Sequence, residues 1–258
     1  MIDICVNWFK APFDKDREDI LSRAQDAGIT HIFSTGSTVE NSQQSAEIAK
    51  LRPELFSATA GIHPHYASSW NKNSQDAIEQ LLQLDVVRAL GECGLDFNRN
   101  FSSPEEQIFA FEQQIELAIK YQKPLFMHQR DAHDSFIKII KEKRKDFTKG
   151  VVHCFTGTEE ELDDYLELDL HIGLTGWICD ERRGFHMHDF IPKIPLSRLM
   201  IETDAPYLSP RTMKPRIHRN EPAFLVHLVQ QLADIYGCSF AEVAKQTEQT
   251  TKPFYNLD

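Results

Sequence analysis

Several features that would place this chain among stapled, exported or membrane-embedded proteins are missing. The five cysteines (Cys5, Cys93, Cys154, Cys179, Cys238) are odd in number and none is spaced as Cys-x-x-Cys, so no disulfide framework or zinc knuckle is indicated. No apolar run approaches the roughly 20 residues of a membrane-spanning helix. The first residues lack the basic-then-apolar order of an export signal. A cytoplasmic protein without membrane contact is therefore expected. Positive charge is in deficit: 28 Lys and Arg stand against 39 Asp and Glu, a formal net charge of −11. That balance excludes a generic duplex-DNA binder held by bulk positive charge. It leaves room for an enzyme that meets phosphate through a metal and a few local arginines. No repeat, low-complexity tract or Pro/Gly/Ser-rich linker interrupts the chain, so residues 1–258 are expected to form one domain.

Short apolar runs alternate with helical stretches along almost the whole length. Strands are expected at Ile2–Val6, Thr30–Ser34, Leu55–Ile62, Val86–Gly91, Pro124–Met127, Gly150–Val152, Leu170–Thr175 and Leu199–Ile201. Helices are expected between them. Thr38 reads as a cap, and Ser103-Pro104-Glu105-Glu106 is a cap followed by Pro and acids in the first turn. Asn220 reads as the cap of a helix reaching Tyr236, and a last helix starts at Phe240. Strict alternation implies parallel strands joined by helical crossovers. About eight units in some 250 residues fit a closed TIM (β/α)8 barrel better than an open sheet. A doubly wound sheet would carry a Gly-rich phosphate turn after its first strand, and here that turn is Asn7-Trp8-Phe9-Lys10.

In such a barrel the active site lies at the C-terminal ends of the strands. Ligand-type residues recur there: His63 and His65, Glu92 and Asp96, His128 with Arg130, His153, and Glu202 with Asp204. Glu202 and Asp204 are two apart at the tip of a buried strand, hence on one face. Buried carboxylates at such a tip need a cation, an arginine or a metal. A single strand-end histidine is usually a partly buried residue with one hydrogen bond. Recurrence of Glu92, His128, His153 and Asp204 at four of these tips favours a divalent-metal site, and imidazole with carboxylate suits zinc, manganese or magnesium.

Gly61-Ile62-His63-Pro64-His65, Gly91-Glu92-Cys93-Gly94-Leu95-Asp96, Met127-His128-Gln129-Arg130, His153-Cys154-Phe155-Thr156-Gly157, Glu202-Thr203-Asp204-Ala205-Pro206-Tyr207 and Arg219-Asn220-Glu221-Pro222-Ala223 occur in this order. Together they resemble the TatD family of metal-dependent deoxyribonucleases over nearly the whole chain. The resemblance implies a metal-dependent hydrolase barrel with Glu92, His128, His153 and Asp204 as metal ligands and His63 and His65 facing the substrate. It implies Mg2+ ahead of Mn2+ or Zn2+. It also implies a 3′→5′ exonuclease on single-stranded DNA, with RNA as a further substrate; a monomer serving DNA repair or degradation is expected. One departure stands out. Where much of the family has a His-x-His pair at the end of the first strand, this chain has Cys5 and Asn7, which weakens a second metal subsite.

The expected chemistry is phosphodiester hydrolysis. A divalent ion lowers the pKa of a bound water; Asp204 serves either as ligand or as general base, and Glu202 either orients Asp204 or binds a second ion. His63 and His65 donate to phosphate oxygens or to the leaving oxygen. Arg130 either clamps phosphate or pairs with Glu92 or Asp96. Arg211, Lys214, Arg216 and Arg219 form a basic loop after the last strand, with Arg211 and Arg219 taken as substrate-binding. Trp177 and Tyr207 offer faces to unpaired bases. The competing readings are an amidohydrolase or aminoacyl-ester deacylase on the same barrel, and a non-catalytic binding module. The first is disfavoured because no Lys occupies a strand tip, the second because all four ligand positions are retained.

Overall fold

The computed structural model describes residues 1–257. Eight strands alternate with helices: β1 (Ile2–Val6), α1 (Arg17–Asp26), β2 (His31–Ser34), α2 (Val39–Leu51), β3 (Phe56–Ala60), α3 (Lys72–Leu82), β4 (Val87–Asp96), α4 (Pro104–Tyr121), β5 (Leu125–Arg130), α5 (His133–Lys143), β6 (Gly150–Val152), α6 (Glu159–Glu167), β7 (His171–Leu174), β8 (Leu199–Ile201), α7 (Leu225–Tyr236) and α8 (Phe240–Tyr255). The strands form one sheet in sequence order, β1 to β8. A parallel bridge joins Val6 at the end of β1 to Ala205 just past β8. Sequential order, parallel pairing and a first strand bridged to the last are the connectivity of the TIM (β/α)8 barrel. The strands are buried almost throughout, as parallel strands covered on both faces must be.

The chain groups into two compact units. One holds Met1–Phe33, Cys154–Glu159 and the chain from Ile172 onward, and so contains β1, most of β2, β7, β8, α1, α7 and α8. The other holds Ser34–His153 and Glu160–His171, with β3 to β6 and their helices.

Local chemistry explains most boundaries. Thr38 accepts a hydrogen bond from the Asn41 N–H, and Ser103 with Glu106 forms a reciprocal capping box, as read from the sequence. α3 starts at Lys72, where Asn71 and Ser74 form a second capping box. Asn220 does not cap α7. Its side-chain amide donates to the Thr203 carbonyl at 2.9 Å, and the turn Pro222–Phe224 separates it from the helix.

β4 departs most from its expected end. It runs five residues beyond Gly91, through Asp96. Leu90 pairs with Leu125 and Cys93 with Met127, so β4 spends one residue more than β5 over this stretch, a bulge at Gly91-Glu92. Gly91 and Gly94 have φ of +141° and +138°, and a Cβ on either would stand 2.1 Å from the Phe126 carbonyl oxygen or 2.0 Å from that of His128. The glycines that look like a strand end in the sequence are the means by which the strand bends closely past β5 and continues.

Candidate active site

In the unit built on β3 to β6, the bulge sets Glu92, whose N–H donates to the Gly36 carbonyl at 2.8 Å. Its carboxylate is met by three imidazoles. His153 Nε2, His128 Nδ1 and His63 Nε2 lie 2.8, 3.1 and 3.3 Å from Glu92 Oε1. His128 Nδ1 and His153 Nε2 are 3.3 Å apart. Each histidine is delivered by a different element: His63 by the turn after β3, His128 by β5 and His153 by the residue after β6. His63, Glu92 and His128 offer ligand atoms that all lie within 4.8 Å of one another.

The electrostatics follow from burial and pairing. Desolvation pushes the Glu92 carboxyl up, but the surrounding His63, His153 and His128 outweigh it and hold it well below the ordinary carboxylate range. Desolvation drives His63 down to about 4 despite Glu92, so it is neutral near pH 7. Its Nδ1 accepts the His65 backbone N–H at 3.0 Å. The ring proton therefore sits on Nε2 and points at Glu92. His128 moves the other way: the carboxylates of Asp96 and Glu92 overcome its burial and raise it.

Asp96 organises the rim. Its Oδ2 lies 2.8 Å from His65 Nε2 and, more loosely, 3.4 Å from His128 Nε2. Its Oδ1 accepts the backbone N–H groups of Asn98 and Arg99, each at 3.0 Å. Desolvation opposes ionisation of Asp96, yet the bonds from His128 and His65 keep it below its usual range. Ser102 bonds the Ser68 N–H and the His65 carbonyl, at 3.0 and 3.2 Å, which ties the loop after β4 to the turn after β3. That tie holds Phe101 edge-on to His65, centroids 4.9 Å apart, while 66 % of the side chain stays exposed. Phe101 carries no motif signal in the sequence; only its exposure beside His65 marks it.

The other unit presents a second carboxylate group. The ends of β1 and β8 are zipped by Asp204 N–H to Cys5 carbonyl at 2.9 Å and Asn7 N–H to Ala205 carbonyl at 2.8 Å. Asp204 Oδ1 accepts the Asn7 side-chain amide at 2.8 Å and faces Cys5 Sγ at 3.6 Å. Cys5 and Asn7 thus engage Asp204 directly. Glu202 is fully buried and takes the Cys154 N–H on Oε1. Asp3, absent from the expected site, is also fully buried; it accepts from the Thr203 hydroxyl at 2.6 Å and from the Thr203 and Cys5 N–H groups. Its spacing of two from Cys5 and four from Asn7 puts all three on one strand face, a signal the sequence does carry.

The arginines divide. Arg130 ends β5, and among the described residues no ion pair joins it to Glu92 or Asp96. Arg211 is held by Glu181 at 3.0 Å and Asp180 at 3.4 Å. Arg219 grips Asp16 with two bonds, 2.7 and 2.6 Å. Arg216 has no carboxylate partner among the described residues. Tyr207 is half exposed, and Arg183 covers a face of Trp177 at 4.1 Å.

The chain as a whole and its fold have counterparts among known proteins. A family model described as TatD related DNase matches residues 2–256. A curated relative from Erwinia billingiae (strain Eb661), named 3′-5′ ssDNA/RNA exonuclease TatD, is 46% identical over 259 residues, covering 100% of this chain and 99% of the relative. One of the same name from Rahnella sp. (strain Y9602) is 49% identical over 259 residues, covering 100% and 98%. Among solved structures, YJJV, a TatD homologue from Escherichia coli K12, superposes with a TM-score of 0.91 at 27% identity over 100% of this chain and 98% of that one. A TatD family hydrolase from Entamoeba histolytica gives a TM-score of 0.90 at 26% identity, covering 99% and 97%.

Proposed function

As this chain belongs to the TatD-related DNase family, we propose that it hydrolyses phosphodiester bonds of single-stranded DNA and RNA from the 3′ end, using a divalent cation held by Glu92, His128 and His153. The observation that carries the reading is the meeting of three imidazoles on one buried carboxylate oxygen. Two imidazole nitrogens 3.3 Å apart beside Glu92 Oε1 have the spacing of donors sharing one ion, since metal–ligand bonds are about 2 Å. The donor set therefore fits a cation. Imidazole-rich sets suit Mn2+ or Zn2+, while the family resemblance favours Mg2+.

When bound, the ion supplies Lewis acidity toward a phosphate oxygen and toward water. The rest falls to side chains. His63, neutral with its proton on Nε2, is a donor rather than a ligand, and a substrate phosphate oxygen would compete with Glu92 for that proton. His65, oriented by Asp96, is placed to hold a proton for the leaving oxygen. Asp204 carries ligation or proton acceptance, and Glu202 supports it. Tyr66 and Phe101 are exposed beside His63 and His65, where unpaired bases can stack and duplex bases cannot. A monomer in the cytoplasm completes the reading; among the described residues no helix is long and apolar enough to cross a membrane.

The test is a 5′-labelled single-stranded oligonucleotide with chelator-stripped protein, adding back Mg2+, Mn2+ and Zn2+ separately. A ladder shortening from the 3′ end, dependent on metal and lost in Glu92→Gln with the fold intact by circular dichroism, supports the proposal. An oligonucleotide left intact with every metal overturns it, and small amides and esters become the substrates to try.

A further inference from the structure

A cavity of about 220 Å3 lies among the loops that follow β7 and β8. Its walls include Trp177, Arg182, Arg183, Ser209, Arg211 and Arg216. The loop carrying Asp204 runs directly into it, since Leu208 and Ser209 form part of the wall. Backbone packing fixes the shape. A Cβ on Gly176 would stand 2.4 Å from the Leu208 carbonyl oxygen, and one on Gly184 would stand 1.9 Å from that of Trp177. Buried Asp180 then orders the arginines: it takes Arg182 at 2.8 Å, Arg183 at 2.9 Å and Arg211 at 3.4 Å, and Glu181 shares Arg211. Four arginines against two carboxylates leave positive charge in excess, on a chain whose net charge is −11.

Two details say what the cavity is built to accept. Trp177 and Ser209 line the cavity, and the indole nitrogen of the one and the hydroxyl of the other are buried without a hydrogen-bond partner among the described residues. A buried donor without an acceptor is destabilising unless something meets it. Arg216 adds a guanidinium with no carboxylate partner. Donors and positive charge together call for an anion with several acceptor oxygens, and a tetrahedral phosphate is the group that guanidinium and N–H donors fit best.

We propose that this cavity is a phosphate subsite for an internal phosphodiester of the substrate strand, on the 5′ side of the bond being cut. The inference rests on the nuclease reading. An enzyme that removes nucleotides from a 3′ end always has the remaining strand on the 5′ side, so only that side offers further phosphates to hold. Asp180 acts as a positioning residue here, since it fixes three guanidinium groups without itself suiting an anion.

The experiment measures binding and turnover separately. Fluorescence anisotropy in EDTA gives the affinity for a 5′-labelled twelve-nucleotide oligothymidylate across a salt series, for the wild type, Arg216→Ala and Trp177→Phe. Kinetics with metal are then run on the same oligonucleotide and on the dinucleotide dTpT, which has no phosphate beyond the scissile one. Arg216→Ala should weaken oligonucleotide binding about tenfold and reduce the salt slope by about 0.7, the share of one single-strand phosphate contact. Trp177→Phe should weaken it severalfold, and dTpT turnover should stay within twofold of wild type in both. Unchanged oligonucleotide affinity in both variants overturns the proposal. So does equal loss on dTpT, which would place Arg216 at the scissile phosphate. Inorganic phosphate or dTMP protecting the wild type but not Arg216→Ala, with oligonucleotide affinity unaltered, would make the cavity a product site and also overturn it. If no oligonucleotide is cut by the wild type, the nuclease reading fails, while the anisotropy still decides whether the cavity binds the strand.

Discussion

Replacing Asp3 by asparagine should remove a component of stability that falls as pH rises through the neutral range. Asp3 is fully buried, and burial lifts its carboxyl from 3.8 to about 7, against hydrogen bonds from Thr203 and Cys5 that hold it down and with nearby Glu202 pushing the same way as burial. In the unfolded chain the same carboxyl titrates near 3.8. Between those two values the folded protein holds a proton that the unfolded chain has released, so unfolding gives up a proton and stability declines as pH increases. The contribution is fully present below the unfolded value, is lost progressively on the way to 7, and changes no further above it. The gap between the two values is worth about 4 kcal/mol in total, or about 1.4 kcal/mol per pH unit inside the window. Asparagine keeps the shape. Its carbonyl can accept from the Cys5 and Thr203 N–H groups and its amide can face the Thr203 hydroxyl, but it does not titrate. Urea unfolding of both proteins from about pH 5 to about pH 8 gives the difference in stability, Asp3→Asn minus wild type. That difference should grow by about 2–3 kcal/mol between pH 5 and pH 7 and then flatten. Parallel curves would mean that Asp3 is ionised in the fold throughout, and the desolvation argument would be refuted. A difference widening toward acid would mean that the hydrogen bonds outweigh burial.

Gly94→Ala should cost about 3–5 kcal/mol, combining left-handed strain with a clash against β5, because its φ is +138° and a Cβ would meet the His128 carbonyl oxygen at 2.0 Å. Gly237→Ala, at φ +64° with nothing within 4 Å of the new Cβ, should cost only about 1 kcal/mol; similar thermal shifts in the two would contradict the close-approach argument. Phe101→Ala should raise KM for single-stranded oligonucleotides about tenfold, the worth of one base stack, with kcat nearly unchanged. A fall in kcat at constant KM would instead assign the ring to holding His65, which it touches edge-on.

The barrel was legible because each of its units is short and locally signalled. β1, β6 and β8 have their expected ends, and Thr38 and Ser103 cap their helices as their side chains suggest. The meeting of His63, His128 and His153 on Glu92 was legible too, since a parallel sheet brings neighbouring strand ends of one polarity together. What one-dimensional reading could not supply is geometry that depends on a neighbouring backbone. Gly91 and Gly94 look like a strand end in isolation, and only the pressure of β5 against them shows that they carry β4 onward and turn Glu92 into its position. Asn220 looks like a cap until the Thr203 carbonyl claims its amide. Arg211 and Arg219 look like free phosphate ligands until Glu181 and Asp16 take them, which leaves Arg216 as the loop's uncommitted guanidinium. The replacement of His-x-His by Cys5 and Asn7 reads in the sequence as a loss. In the fold Asn7 donates to Asp204 Oδ1 at 2.8 Å, so its side chain orients a carboxylate. The direction in which Asp204 faces is thus set by a side chain from the other end of the chain, which the spacing of Glu202 and Asp204 alone does not specify.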